Sequence, residues 1–174
     1  LPPRAKRLID AFWPGPMTLI MARRDGVAAA ASGGQQTIGL RCPAHPVALA
    51  LLSACKCLDV PGLAGPSANL FGRLSPTRAA HVEAEFGPQL MVLDGGDCQV
   101  GIESSIVDCS GAQPVLLRAG ILQRARIESV LGQALLEPDA TSPRAPGTLA
   151  AHYAPRAKLR IMPAATLKAA LDML

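Results

Sequence analysis

PGLAGPSANLFGRLSPT, residues 61–77, sets a short apolar run punctuated by Gly and Pro ahead of a small polar cluster, Ser67-Ala68-Asn69, and closes on Ser75-Pro76-Thr77. The apolar run suits the end of a short buried strand. Ser75 suits a helix N-cap and Pro76 the first helical position, so the stretch predicts strand, turn and helix in succession. Small residues let a ligand approach the backbone closely, and a helix start offers unpaired N–H groups to an anion. Two readings stay open at this point: a phosphate or nucleotide site, and a surface turn, which uses the same residue types.

The flanking sequence repeats the alternation. Upstream, residues 4–13 carry Leu8, Ile9 and Phe12 at helical spacing, Pro14-Gly15-Pro16 ends the helix, and residues 17–22, MTLIMA, read as a strand. Residues 25–36 read as a loop. Thr37-Ile38-Gly39-Leu40-Arg41 reads as a strand whose alternation puts Thr37, Gly39 and Arg41 on one side. Residues 46–58 return to helix. Downstream, residues 76–86 predict a helix with Ala79, Val82 and Phe86 inward, and residues 91–94 and 101–108 predict two strands. Residues 114–118, PVLLR, predict another strand ending on Arg118, and residues 123–131 a helix. Residues 137–155 are rich in Pro, Ala and Thr and read as a linker, beyond which residues 158–162 and 167–174 suggest a further strand and helix. Strands and helices alternating throughout give an α/β or α+β fold.

Composition narrows the function classes. Hydrophobic residues make up 49% of the 174, enough for a core, whereas aromatics at 3% leave little for base stacking on single-stranded RNA. A net charge of +4 implies affinity for anions without naming one, and the basic residues are dispersed along the chain. Five cysteines, Cys42, Cys55, Cys57, Cys98 and Cys109, form no CxxC pair and have no His at ligand spacing, so neither a disulfide framework nor a zinc site is indicated. Thiols in a reducing compartment and no apolar run of membrane-spanning length lead to the expectation of a cytoplasmic protein with no membrane partner. His81 reads as a helix-surface residue and Ser104-Ser105 as hydrogen-bond donors to a ligand, because no His and carboxylate signature accompanies the serines. Arg41 and Arg118, each at a strand end beside a turn, suit a carboxylate or a polyphosphate if they converge on one cleft.

FWPGPMTLI, TIGLRCP, GPSAN with SPT, GIESSIVD, LLRAG and APGTLAAHYAP stand together in an order and spacing that resembles the threonylcarbamoyl-AMP synthases, YrdC-like proteins, here of the long form with a linker and C-terminal domain. The resemblance implies a twisted open sheet around a basic concave cavity. It divides the chain into a YrdC-like nucleotide- and threonine-binding domain at 1–136, a linker or lid at 137–156 and the start of a small α/β C-terminal domain at 157–174. The implied reaction joins L-threonine, bicarbonate and ATP into threonylcarbamoyl-AMP with release of pyrophosphate, the group then passing to tRNA through a partner transferase complex. Carried over by motif, Thr37, Ser67, Asn69, Ser75, Arg118 and Tyr153 contact ATP, Arg41 and Ser104 contact threonine, and His152 closes the lid with Tyr153. No residue is assigned as a chemical catalyst: Arg41 and Arg118 position the substrates and stabilise charge. Mg2+ is expected to arrive on the ATP phosphates, with no metal held by protein side chains.

Two departures accompany the resemblance. Thr148 to Ala151 reads TLAA where many relatives carry a more basic, Tyr-containing linker. The family's upstream strand, with a threonine-pocket motif and a Lys-x-Arg motif for the triphosphate, is absent from these residues, so the chain is expected to be the central and linker portion of a synthase and weak or inactive alone. The competing readings are a non-catalytic module of the same fold binding nucleotide or double-stranded RNA, and a carbamoyl-transfer domain of the hydrogenase-maturation kind. The continuation through HYAP favours the synthase over the latter.

Overall fold

The computed structural model describes residues 1–147 and 162–171. Helix α1 (Pro3–Phe12) begins with Pro in its first turn, where a missing N–H breaks no helical bond. Its buried Ala5, Leu8 and Phe12 recur at the spacing of one helical face. Gly15 lies so close to the last turn that a Cβ there would meet the Phe12 carbonyl oxygen at 2.3 Å.

Strands β1 (Met17–Ala22), β2 (Thr37–Leu40), β3 (Ser105–Asp108) and β4 (Val115–Arg118) form one open sheet in the order β2-β1-β3-β4. β1 runs antiparallel to β2 and parallel to β3, and β3 runs antiparallel to β4. The long connection from β2 to β3 contains α2 (Pro46–Cys57) and α3 (Ala79–Phe86); α4 (Arg124–Leu131) follows β4, and α5 (Ala164–Leu171) comes last in the order.

Strand alternation separates two faces. Met17, Leu19, Met21 and Val107 point to one, where they pack with Leu8 and Phe12 of α1 and Ile127 and Leu131 of α4. This is the main core. Arg4 fastens α1 to the β3–β4 turn, its guanidinium donating to the carbonyls of Cys109, Gly111 and, at 2.9 Å, Ala112. The opposite face carries a smaller apolar group, Ile20, Ile106 and Leu117, covered by Ala145. Ala145 therefore lies on this second face.

The mixed α/β architecture and the strands at 17–22 and 37–40 follow the sequence reading, and several other expectations need correction. Neither residues 61–66 nor residues 91–94 form a strand, and Leu63, Met91 and Leu93 are exposed. A strand needs a neighbour for its N–H and C=O groups, and neither stretch joins the sheet among the described residues. Ser75 is not an N-cap. Its hydroxyl donates to Glu103 Oε1 at 2.7 Å, and α3 starts later, after Arg78, without a side-chain cap. Phe86, expected inward, is exposed, and α2, apolar as it is, buries no side chain fully. The strand expected over 101–108 is confined to its second half, β3. The helix expected over 167–174 begins earlier, as α5, while residues 158–161 and 172–174 lie outside the described residues.

Candidate nucleotide and threonine site

The sheet face opposite the main core is where the polar side chains gather. Register fixes which ones. Ile20 lies opposite Gly39 and Ala22 opposite Thr37, so Thr37, Gly39 and, one step past the strand, Arg41 continue the row of Thr18 and Ile20. Thr18 is paired with Ile106, and Ile106 in turn with Arg118. A register shift between Ile106 and Val107 accompanies that last pairing, and the irregularity lets Arg118 share the face of Ile106 while Leu117 also packs there. Gly39 keeps the row low: a Cβ would meet Ile20 Cδ1 at 3.1 Å.

Arg118 is held from several sides. Its Nε and Nη2 donate to the Ser104 carbonyl at 3.1 and 2.9 Å, Nη2 also to Ser104 Oγ at 3.2 Å, and Nη1 to the Pro146 carbonyl at 3.0 Å and to the carboxylate of Glu103. Ser104 Oγ lies 2.9 Å from Thr18 Oγ1. Gly120 permits the tight turn behind Arg118, since a Cβ would sit 2.5 Å from the Glu103 carbonyl oxygen and from the Ser105 nitrogen. Only the first serine of the pair shares the face of Thr18 and Arg118. Ser105 is buried and structural, its N–H donating to Pro16 and its hydroxyl to the Leu122 carbonyl.

Arg41 donates through Nε to the Gly15 carbonyl at 3.0 Å, and Gly15 N–H donates to the Cys42 carbonyl at 2.8 Å. The FWPGPMT and TIGLRCP segments thus dock on each other and aim Arg41. Among the described residues its terminal nitrogens make no hydrogen bond, which leaves the fork available to a carboxylate. Partial desolvation lowers the pKa of Arg41 below the usual guanidinium range, and the positive charge of Arg118 lowers it further. The two guanidinium groups therefore share one electrostatic environment.

The structure brings together Arg41, Ser104, Arg118 and Ser75, the last through Glu103. Thr37 shares their face but sits four residues before Arg41, roughly 13 Å along the strand. It lines a cleft of about 530 Å³ with Asp108, Val115, Leu136, Glu137 and Asp139. Asn69 Nδ2 is turned into its own loop, donating to the carbonyls of Leu70 and Arg73 at 2.9 and 3.2 Å, while its Oδ1 is buried and makes no bond. Ser67 is exposed and makes no hydrogen bond among the described residues. His152 and Tyr153 lie outside the described residues. Sequence reasoning assigned no role to Thr18, Glu103 or Pro146. Strand pairing alone brings Thr18 to Ser104, and the signal for Glu103 was its place beside Ser104 in GIESSIVD.

Comparison with known proteins bears on this face. Residues 1–120 match the Sua5, YciO and YrdC family model, described as telomere recombination, and residues 122–172 match the threonylcarbamoyl-AMP synthase C-terminal domain. Threonylcarbamoyl-AMP synthases of Pyrococcus abyssi and Bacillus subtilis are each 38% identical, over 93% and 92% of this chain and 48% and 47% of theirs. The chain thus spans about half the length of the curated relatives it matches. The crystal structure of P. abyssi Sua5 complexed with L-threonine superposes with a TM-score of 0.81, covering 91% of this chain and 47% of that one at 38% identity. E. coli YciO, at 23% identity and a TM-score of 0.61 over 73% of this chain and 61% of its own, shares the fold. The match over residues 1–120 places the chain in the Sua5/YciO/YrdC family, and residues 122–172 continue it with sequence similar to the threonylcarbamoyl-AMP synthase C-terminal domain.

Proposed function

We propose that the chain carries nucleotide- and threonine-binding machinery of an L-threonylcarbamoyladenylate synthase, which forms threonylcarbamoyl-AMP and pyrophosphate from L-threonine, bicarbonate and ATP. The observation that carries this reading is the convergence of Arg41, Ser104 and Arg118 on one sheet face, in a family where a relative's structure holds L-threonine.

Arg41, with both terminal nitrogens unengaged among the described residues, takes the threonine carboxylate as a bidentate pair. Ser104 Oγ, already bonded to Thr18, orients the rest of the amino acid. The threonine amine adds to the carbon of bicarbonate with loss of water and gives a carbamate. A carbamate oxygen then attacks the α-phosphorus of ATP, and pyrophosphate departs with the electron pair of the broken P–O bond. Arg118 offsets charge on the phosphates, with Ser67, Asn69, Ser75 and Thr37 lining the nucleotide's path. Positioning and positive charge carry most of such a step. Mg2+ would be brought in on the triphosphate, bound mainly by phosphate oxygens and its own waters. When bound, that ion neutralises phosphate charge. Both the carbamate and the mixed anhydride are water-labile, which gives His152 and Tyr153 a purpose as a lid.

Delivery to tRNA through a transferase complex and action in the cytoplasm belong to the same proposal. Among the described residues no helix is long and apolar enough to cross a membrane. The test measures L-threonine binding by calorimetry and pyrophosphate release from ATP with each co-substrate withheld in turn. The expected results are threonine binding that Arg41→Ala weakens, and, once the upstream strand with its Lys-x-Arg motif is supplied, release that requires both threonine and bicarbonate. Threonine binding indifferent to Arg41, or release that ignores threonine, overturns the reading.

A further inference from the structure

Glu103 touches both Ser75, on the connection between the strands, and Arg118, at the end of β4. Its Oε1 accepts from Ser75 Oγ at 2.7 Å and its Oε2 pairs with Arg118 Nη1. Both partners of that ion pair are largely shielded, with side-chain exposures of 12% for Arg118 and 24% for Glu103. An arginine has five N–H donors, and Glu103, Ser104 and Pro146 together offer Arg118 a contact for every one. An incoming phosphate oxygen must therefore displace one of these acceptors.

The acceptors differ in how readily they give way. The Pro146 carbonyl is neutral and its bond is exposed; the Ser104 contacts are anchored in the strand; Glu103 is charged and fixed at its other oxygen by Ser75. We infer that Glu103 is a positioning residue for the phosphate site: it fixes the Arg118 guanidinium and the Ser75 segment in one arrangement before ligand arrives, and the anion takes the place of the Pro146 carbonyl on Nη1. This rests on the proposed function, which makes Arg118 a phosphate ligand. Fixing a side chain with many rotamers in advance removes an ordering cost that binding would otherwise meet.

Two opposite expectations separate positioning from mere neutralisation. A carboxylate that only neutralises Arg118 competes with phosphate, so its removal tightens anion binding. A carboxylate that positions Arg118 leaves anion binding weaker when removed, even though the site gains positive charge.

The experiment measures binding of inorganic pyrophosphate by calorimetry at fixed ionic strength for the 174-residue chain and its Glu103→Ala, Glu103→Gln and Glu103→Asp variants. The expected result is about tenfold weaker binding in Glu103→Ala, the scale of one charge-assisted hydrogen bond. Rescue to within about threefold is expected in Glu103→Gln, whose amide oxygen still accepts one of the two bonds and holds its partner in place. L-Threonine binding, which runs through Arg41, stays unchanged in all of them. If Glu103→Ala fails to fold by circular dichroism, Glu103→Asp decides: it keeps the charge but is one methylene too short to bridge Ser75 and Arg118, and weaker pyrophosphate binding is expected. Pyrophosphate binding that is unchanged or tighter in the folded Ala or Asp variant overturns the positioning role alone. An unsubstituted chain that binds neither pyrophosphate nor ATP overturns the phosphate-site reading, and the positioning role with it.

Discussion

Arg41 and Arg118 approach one face of the sheet from opposite edges, β2 and β4, and the charge of Arg118 adds to partial desolvation in lowering the pKa of Arg41. Arg118 is paired with Glu103, whereas Arg41 meets no carboxylate among the described residues, so the charge on Arg41 is the one an anion would offset. Ligand binding should relieve that repulsion. Arg41→Ala is expected to weaken L-threonine binding by about 10–100-fold, the range of a bidentate charge-assisted contact. Arg41→Lys should recover only part of it, because a point charge cannot replace the planar fork. Calorimetric titration with L-threonine checks both; equal affinity in Lys and Arg forms would remove the bidentate argument.

Gly120 stands where the β4 turn passes under β3. A methyl group there would sit 2.5 Å from the Glu103 carbonyl oxygen and from the Ser105 nitrogen, and 2.7 Å from the Ser104 carbonyl carbon. These are backbone atoms and cannot swing aside, so Gly120→Ala must displace the segment that carries Glu103 and Ser104 away from Arg118. The expected outcome is a destabilisation of about 1–3 kcal/mol with weaker pyrophosphate binding. Thermal unfolding and titration together test it, and a variant with unchanged melting temperature would show that the turn is not confined.

Much of this face was legible in the sequence. Alternation alone put Thr37, Gly39 and Arg41 on one side, and the pairing of Ile20 with Gly39 places them as read. The helical spacing of Leu8 and Phe12 gave α1 its buried side. What alternation cannot supply is the neighbour. The runs at 61–66 and 91–94 have strand-like composition, yet no strand lies beside them among the described residues, so they remain irregular. Ser75 looked like a cap because capping is a local rule; its hydroxyl instead serves Glu103, 28 residues away. Glu103 and Thr18 were hidden for the same reason, since each acquires its role from a partner that only the folded sheet supplies.

The main core rests on α1 and α4 packed side by side on one face of the sheet, with Leu8, Met17, Leu19, Ile127 and Leu131 all at 0% or 1% exposure. Truncating one of these leaves a cavity that its neighbours in strands cannot close. Leu8→Ala is expected to cost about 2–5 kcal/mol in urea unfolding. A cost below about 1 kcal/mol would mean that α1 is not a structural partner of the sheet.

Cys109 offers a pH-dependent test of the same core. Burial raises its thiol from the ordinary 9.0 to about 11, Arg4 opposing and Asp108 adding to the shift. A raised pKa means that the folded chain keeps a proton which the unfolded chain loses above pH 9. This contribution to stability is fully present below pH 9 and is lost as pH rises towards 11, on the order of 2 kcal/mol in all. Other groups titrate in that window, so the informative quantity is the difference between the unsubstituted chain and Cys109→Ala: the variant should show a shallower fall of the urea midpoint between pH 9 and 11. Thiol labelling gives an independent reading. At pH 8 the exposed Cys57 and Cys98 should react with a soluble disulfide reagent, whereas Cys109 should react only on unfolding. A Cys109 that labels in the folded chain as fast as Cys57 would mean that α1 and the β3–β4 turn, which Arg4 ties together, do not stay closed over it.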